Sequence, residues 1–237
     1  MVTQSFLPCF SRAAILSQKR RGEATMPRKS ASATKTNHSD VVKKNSVRSF
    51  LALELPDDVK SFVATLTKGL KSVMNDARWV SLDGMHLTLK FLGDVPSATI
   101  PEVVSALEKP LAIGAPIQLS LKGLGCFPNM RRPRVIWIGV MDTQSVLLRL
   151  VEEIEKALLP LGFPKESRLF KAHLTLARLK PGTTNPKGME LIVGQQELGG
   201  PTFFVDNAVL FESILKPQGA QYYSIRRFYF QHIDYQE

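Results

Sequence analysis

Apolar and polar positions alternate over several short stretches of the chain, and elsewhere apolar residues recur at helical spacing. Alternation predicts strands over 47–55, 86–93, 116–123, 134–140, 173–179, 203–213 and 221–230. Val59, Phe62, Val63, Leu66 and Leu70 share one helical face, and Pro56 with Asp57 and Asp58 marks its start, so 57–75 reads as a helix. Further helices fit 98–109, 143–160 and 188–196, the last entered through the Gly/Pro-rich loop 181–188. This mixture of strands and about four helices predicts an α+β fold.

His-Leu-Thr-Leu occurs twice, at 86–89 and 173–176, 87 residues apart. That period is too long for a solenoid and suits a duplicated lobe, two halves each presenting the same strand. Side chains along a strand point alternately to opposite faces. His86, Thr88 and Lys90 therefore share one face, as do His173 and Thr175, while the leucines take the other. Packing alone explains recurring leucines. It gives no reason for an imidazole and a hydroxyl to recur at the same spacing.

Two imidazoles flanking one phosphorus centre suit in-line displacement. One takes a proton from water and the other protonates the leaving oxygen. Threonine hydroxyls donate to the non-bridging oxygens. No Asp, Glu, Cys or further His stands at metal-ligand spacing around either tetrapeptide, so no metal and no cofactor is expected. A G-x-S-x-G elbow, a P-loop and a dinucleotide fingerprint are also missing from the sequence.

The chain has 237 residues, 44% hydrophobic and 22% charged, which is ordinary for a folded protein. No apolar run of about 18 residues is present, so no membrane partner is expected. Two cysteines, Cys9 and Cys126, make no disulfide framework, and a reducing compartment is expected. The formal charge of +10 is concentrated at the front. Residues 1–48 hold ten Lys/Arg against Glu23 and Asp40, while the remainder holds 21 against 19. A polyanion site in the folded part must therefore be local. Residues 1–46 read as a disordered basic tail. The composition allows a transit peptide, a solvated extension or an overlong start with Met26 as initiator, so the location is cytoplasmic, or an organelle in the first case.

HLTLKFLGDV and AHLTLARL resemble the paired H-x-T-x motifs of the 2H phosphoesterase superfamily. VRSFLALELP, RWVSLDGMHLTLKFLG, FPNMRRPRVIWIGV and LFESILKPQGAQYYSI resemble, in order, segments of its bacterial-type RNA 2′,3′-cyclic phosphodiesterases, formerly called 2′-5′ RNA ligases. The resemblance covers about 47–230, and it implies a bilobal duplicated fold over 47–237. In that fold two antiparallel sheets line a central cleft, with helices outside. The resemblance also implies metal-independent opening of a 2′,3′-cyclic phosphate at an RNA 3′ end to a 2′-phosphate, with a reverse 2′-5′ ligation. His86 and His173 would be the acid–base pair, with Thr88 and Thr175 as phosphate anchors. The partners implied are RNA 3′ ends, tRNA fragments among them, with a monomeric chain.

Alternatives remain in a cyclic phosphate on a small nucleotide such as ADP-ribose, or a non-catalytic RNA-binding module. Three further candidates for substrate contact follow from position. Arg134 starts a strand and carries the right charge, or is simply a solvated strand end. Arg178 serves only if the strand twists or ends there, because strict alternation puts it with the leucines. Phe50 offers a ring for base stacking or for the core.

Overall fold

The computed structural model describes residues 45–183, 186–217 and 219–230. The tail expected over 1–46 thus lies almost wholly outside the described residues. The chain runs β1 (Ser46–Glu54), α1 (Asp57–Val73), β2 (Ala77–Trp79), β3 (His86–Pro96), α2 (Ile100–Glu108), β4 (Ile117–Phe127) and β5 (Val135–Met141). It continues through α3 (Val146–Leu158), β6 (His173–Leu179), α4 (Met189–Gly194), β7 (Gly199–Val205), β8 (Asn207–Lys216) and β9 (Gly219–Tyr229). No helix among the described residues is long and apolar enough to cross a membrane.

The strands form two antiparallel sheets, as the resemblance implied. The first has the order β3-β1-β8-β9 and the second β2-β6-β5-β4-β7. The 87-residue period relates β1, α1 and β3 to β5, α3 and β6. The strands that complete each sheet do not follow the halves of the chain. β4, early in the chain, joins the second sheet, and β8 and β9, late in the chain, join the first. The duplication is therefore real in the site strands, while the two halves of the chain interlock around them.

The stretch 203–213, expected to be one strand, is two. β7 ends at Val205 in the second sheet and β8 begins at Asn207 in the first. Asp206 is the crossing point. Its carbonyl accepts from Phe230 N at 2.7 Å and its carboxylate from Asn207 Nδ2 at 2.8 Å. Local alternation cannot reveal such a break, because the apolar pattern continues across it.

Helices pack on the outer faces. In α1 the acids Asp57 and Asp58 sit in the first turn, where unpaired amides and the helix dipole favour negative charge. Its buried side, Val59, Val63, Thr67 and Leu70, comes from apolar spacing and faces β7. Gly200 in β7 permits this approach, because a Cβ there would stand 2.6 Å from Leu121 Cβ and 3.3 Å from a Phe62 ring carbon. Helix α3 buries Leu147, Leu150, Val151, Ile154 and Leu158 against α2 and β3.

Two β-bulges decide what the site strands present. Thr88 faces Ala52 and Lys90 faces Leu51, so Leu89 is the extra residue in β3. Thr175 faces Trp137 and Ala177 faces Ile136, so Leu176 is the extra residue in β6. An extra residue inverts the alternation beyond it. Burial follows: Leu89 and Lys90 are both buried and Phe91 exposed, while Leu176 and Ala177 are buried and Arg178 exposed.

Candidate active site

The two sheets meet across a cleft of about 590 Å³. His86, Thr88 and Phe91 of β3 line it, as do His173, Thr175 and Arg178 of β6. β3 is an edge strand of its sheet. β6 is flanked on its outer side only by short β2, which pairs with Ala177–Leu179 and leaves the His173–Thr175 segment uncovered by a strand. Both motifs therefore reach the cleft from strand edges.

Each ring is seated among aromatics. Phe50 lies 4.6 Å from His86 between ring centroids, and Tyr222 meets it edge-on at 5.0 Å. Phe127 meets His173 edge-on at 5.0 Å, with Trp137 at 6.3 Å. Phe50 and Trp137 are themselves 87 residues apart, on β1 and β5. Each ring also has a hydrogen-bonding carbonyl two residues upstream, Gly84 for His86 and Lys171 for His173. His173 Nδ1 lies 2.6 Å from the Lys171 oxygen. A carbonyl only accepts, so Nδ1 carries the proton and the neutral ring presents Nε2 as acceptor.

Burial pushes both imidazoles below their ordinary range. His86 falls to about 4, through burial first, opposed by the Gly84 carbonyl and reinforced by the positive Arg178. His173 is lowered by burial and by Arg178, against the pull of the Lys171 carbonyl. One guanidinium thus acts on both rings. The hydroxyls of Thr88 and Thr175 are half-buried and face the same space.

The other sequence candidates are placed as follows. Arg178 faces the cleft, because the bulge at Leu176 brings it to the His173 side. The leucine-side placement expected from strict alternation is corrected by that extra residue. Lys90, expected beside His86, is turned inward by the bulge at Leu89 and is 3% exposed. Its ammonium bonds the Glu155 carboxylate at 3.0 Å and the Pro164 carbonyl at 2.6 Å.

Phe50 lines the cleft floor but is 3% exposed, and its ring rests against His86 and Phe211. Of the two roles open to it, this is the core placement, and there the ring supports His86. Arg134 is exposed and is not a lining residue. Its neighbour Val135 lines the cleft, while Arg134 lies in the bend just before β5. Sequence reasoning missed Phe91, Arg48 and Trp137. The 87-residue offset from Arg178 to Phe91, and from Phe50 to Trp137, is the signal that finds two of them.

Duplicated strands, each delivering an imidazole and a hydroxyl to one cleft between two sheets, define a two-histidine phosphoesterase architecture. The model of the LigT-like phosphoesterases matches residues 53–137 and again 138–222, and the chain belongs to that family. It is 33% identical over 180 residues to the RNA 2′,3′-cyclic phosphodiesterase of Methanocaldococcus jannaschii, covering 76% of this chain and 99% of the relative. A protein of the same name from Thermotoga maritima is 31% identical, over 74% of this chain and 91% of the relative. Among solved structures, TT0787 of Thermus thermophilus superposes with a TM-score of 0.66 at 27% identity, covering 78% of this chain and 99% of its own. E. coli LigT complexed with 3′-AMP gives 0.62 at 21% identity, covering 78% and 98%, a likeness of fold.

Proposed function

We propose that this protein is an RNA 2′,3′-cyclic phosphodiesterase that opens the cyclic ester at an RNA 3′ end and leaves a 2′-phosphate. The observation that carries the reading is the convergence of His86, Thr88, His173 and Thr175 on one cleft. In the reaction one neutral imidazole accepts a proton from water as the water oxygen bonds to phosphorus. The bond from phosphorus to the 3′ oxygen breaks, and the other ring, as imidazolium, protonates that oxygen. The two threonine hydroxyls and the Arg178 guanidinium stabilise the charge gathering on the non-bridging oxygens. With an RNA 5′-hydroxyl in place of water, the same transfers form a 2′-5′ link as the bond from phosphorus to the 3′ oxygen breaks; in reverse, the 3′-hydroxyl attacks that link and the 5′ oxygen leaves with a proton.

Arg178 has a second effect. In the free protein it favours two neutral rings; an entering phosphate offsets its charge and lets one ring hold the proton that the leaving oxygen needs. The relatives named above support the RNA substrate. Both histidine–threonine pairs come from one chain, which supports action as a monomer. The reading extends to a cytoplasmic protein acting on RNA ends, those of cleaved tRNAs included.

The test is product analysis on a defined oligonucleotide ending in a 2′,3′-cyclic phosphate, in EDTA. Hydrolysis to the 2′-phosphate is expected. An inert folded protein, a 3′-phosphate product or loss of activity on chelation overturns the proposal.

A further inference from the structure

The cleft accounts for one nucleotide end, yet the charge around it continues outward. Arg178 is the direct cross-strand partner of Arg78 on β2 and of Val135 on β5. Opposed residues in an antiparallel pair bring their side chains together on one face, and like charges there are unfavourable. Neither arginine forms an ion pair among the described residues. Arg78 instead donates from Nη2 to the Pro217 carbonyl at 2.9 Å, reaching from the second sheet to the β8–β9 hairpin of the first.

Val135, the last member of that row, is where the β4–β5 hairpin returns. The connection Pro128–Arg134 holds Arg131, Arg132 and Arg134 and no acid, in a chain whose part beyond residue 48 is nearly balanced. All three are exposed and unpaired with carboxylates among the described residues. The hairpin's two ends, Phe127 and Val135, both line the cleft. Its backbone is pinned. Arg134 N donates to Phe127 O at 2.7 Å, and the Asn129 carboxamide oxygen accepts from Arg131 N and Arg132 N at 3.1 and 3.0 Å. Met130 is half-buried against the core, its sulfur 3.2 Å from the buried Cys126 thiol. Three exposed arginines thus stand on a pinned backbone ridge whose ends reach the cleft.

The geometry points to a polynucleotide track: the phosphates on the 5′ side of the reacting end leave the cleft along Arg78 and the Arg131–Arg134 ridge. This rests on the proposed function and extends it from a terminal nucleotide to a strand. Unpaired cations gathered near one edge recognise a polyanion through counterion release, without reading its sequence.

The test compares a 2′,3′-cyclic mononucleotide with a single-stranded RNA of about ten nucleotides ending in the same group, across a range of salt. In the wild type kcat/KM rises with length, and the gain fades with salt. The double variant Arg131→Gln/Arg132→Gln keeps mononucleotide kcat/KM within twofold, which also verifies folding. It loses about tenfold or more on the oligonucleotide, and its salt dependence becomes shallower by about 1.4 log units per log unit, roughly 0.7 for each lost phosphate contact on a single strand. Equal effects on both substrates, or no gain with length in the wild type, overturn the track and leave the proposed function standing. Failure on both substrates by the wild type overturns the function itself.

Discussion

Phe91 and Arg178 occupy the same place in the two site strands, five residues after His86 and His173, and both face the cleft. Each is brought there by an extra leucine between threonine and itself, Leu89 in β3 and Leu176 in β6. The cleft is therefore nearly two-fold symmetric in its imidazoles and hydroxyls but polar at this pair. One side offers a ring that is 59% exposed and the other a cation. A substrate with one base and one phosphate meets two different walls, which favours a single orientation.

Replacing either imidazole should remove one proton transfer. His86→Ala and His173→Ala are each expected to lower kcat on a cyclic-phosphate substrate by about 10²–10⁴, the usual contribution of a general acid or base. Steady-state kinetics with far-ultraviolet circular dichroism to confirm folding checks this. Near wild-type rates in either variant contradict the paired mechanism.

Arg178→Gln should have two linked effects. Loss of a charged donor to the transferring phosphoryl group should cost about 10²-fold in kcat/KM. Removing the positive charge should also raise the pKa of both rings, since Arg178 lowers each of them. Imidazole titration by NMR reads the second effect, and unmoved midpoints would show that the guanidinium does not act on the rings.

The pH dependence of stability has a definite sign. His86 titrates at about 4 in the folded protein and near 6.5 when unfolded. Between these values the unfolded chain binds more protons, so stability contributed by the neutral buried ring is complete above about 6.5 and is lost as pH falls toward 4. His173 is shifted in the same direction. Tm should decline through this window, and less steeply in His86→Phe. An equally steep decline in that variant would contradict the shift.

Lys90 ties the bulge of β3 to α3 through Glu155, whose carboxylate also accepts from Glu166 N at 2.8 Å. Lys90→Met leaves that carboxylate without its cation in a nearly buried position. The expected cost is about 3 kcal/mol in denaturant unfolding. Adding Glu155→Leu should recover most of it, and an additive double variant would show that the pair is not coupled.

Gly125 lies beneath the Trp137 indole. A Cβ there would stand 2.3 Å from a ring carbon, so the indole must move. Gly125→Ala should lower Tm and also reduce activity through the aromatic support of His173. An unchanged Tm would show that the indole relocates without strain.

The order of helices and strands was legible because each depends on its own apolar spacing. The repeated His-x-Thr was legible because it is an identity in the chain. Lys90 and Arg178 were not placed correctly by alternation, since a bulge is a mismatch with a partner strand and leaves no mark in the bulged residues themselves. The crossing at Asp206 was hidden for a similar reason: either sheet accepts the same alternating pattern.

By itself the sequence determined the duplicated imidazole and hydroxyl and the greasy faces that bury their strands. Tertiary structure alone decided that both copies open on one cleft, that Arg178 and Phe91 join them while Lys90 does not, and that the rings sit below their ordinary protonation range. Register, sheet membership and desolvation are relations between segments distant in the chain, and they come into being only when those segments pack.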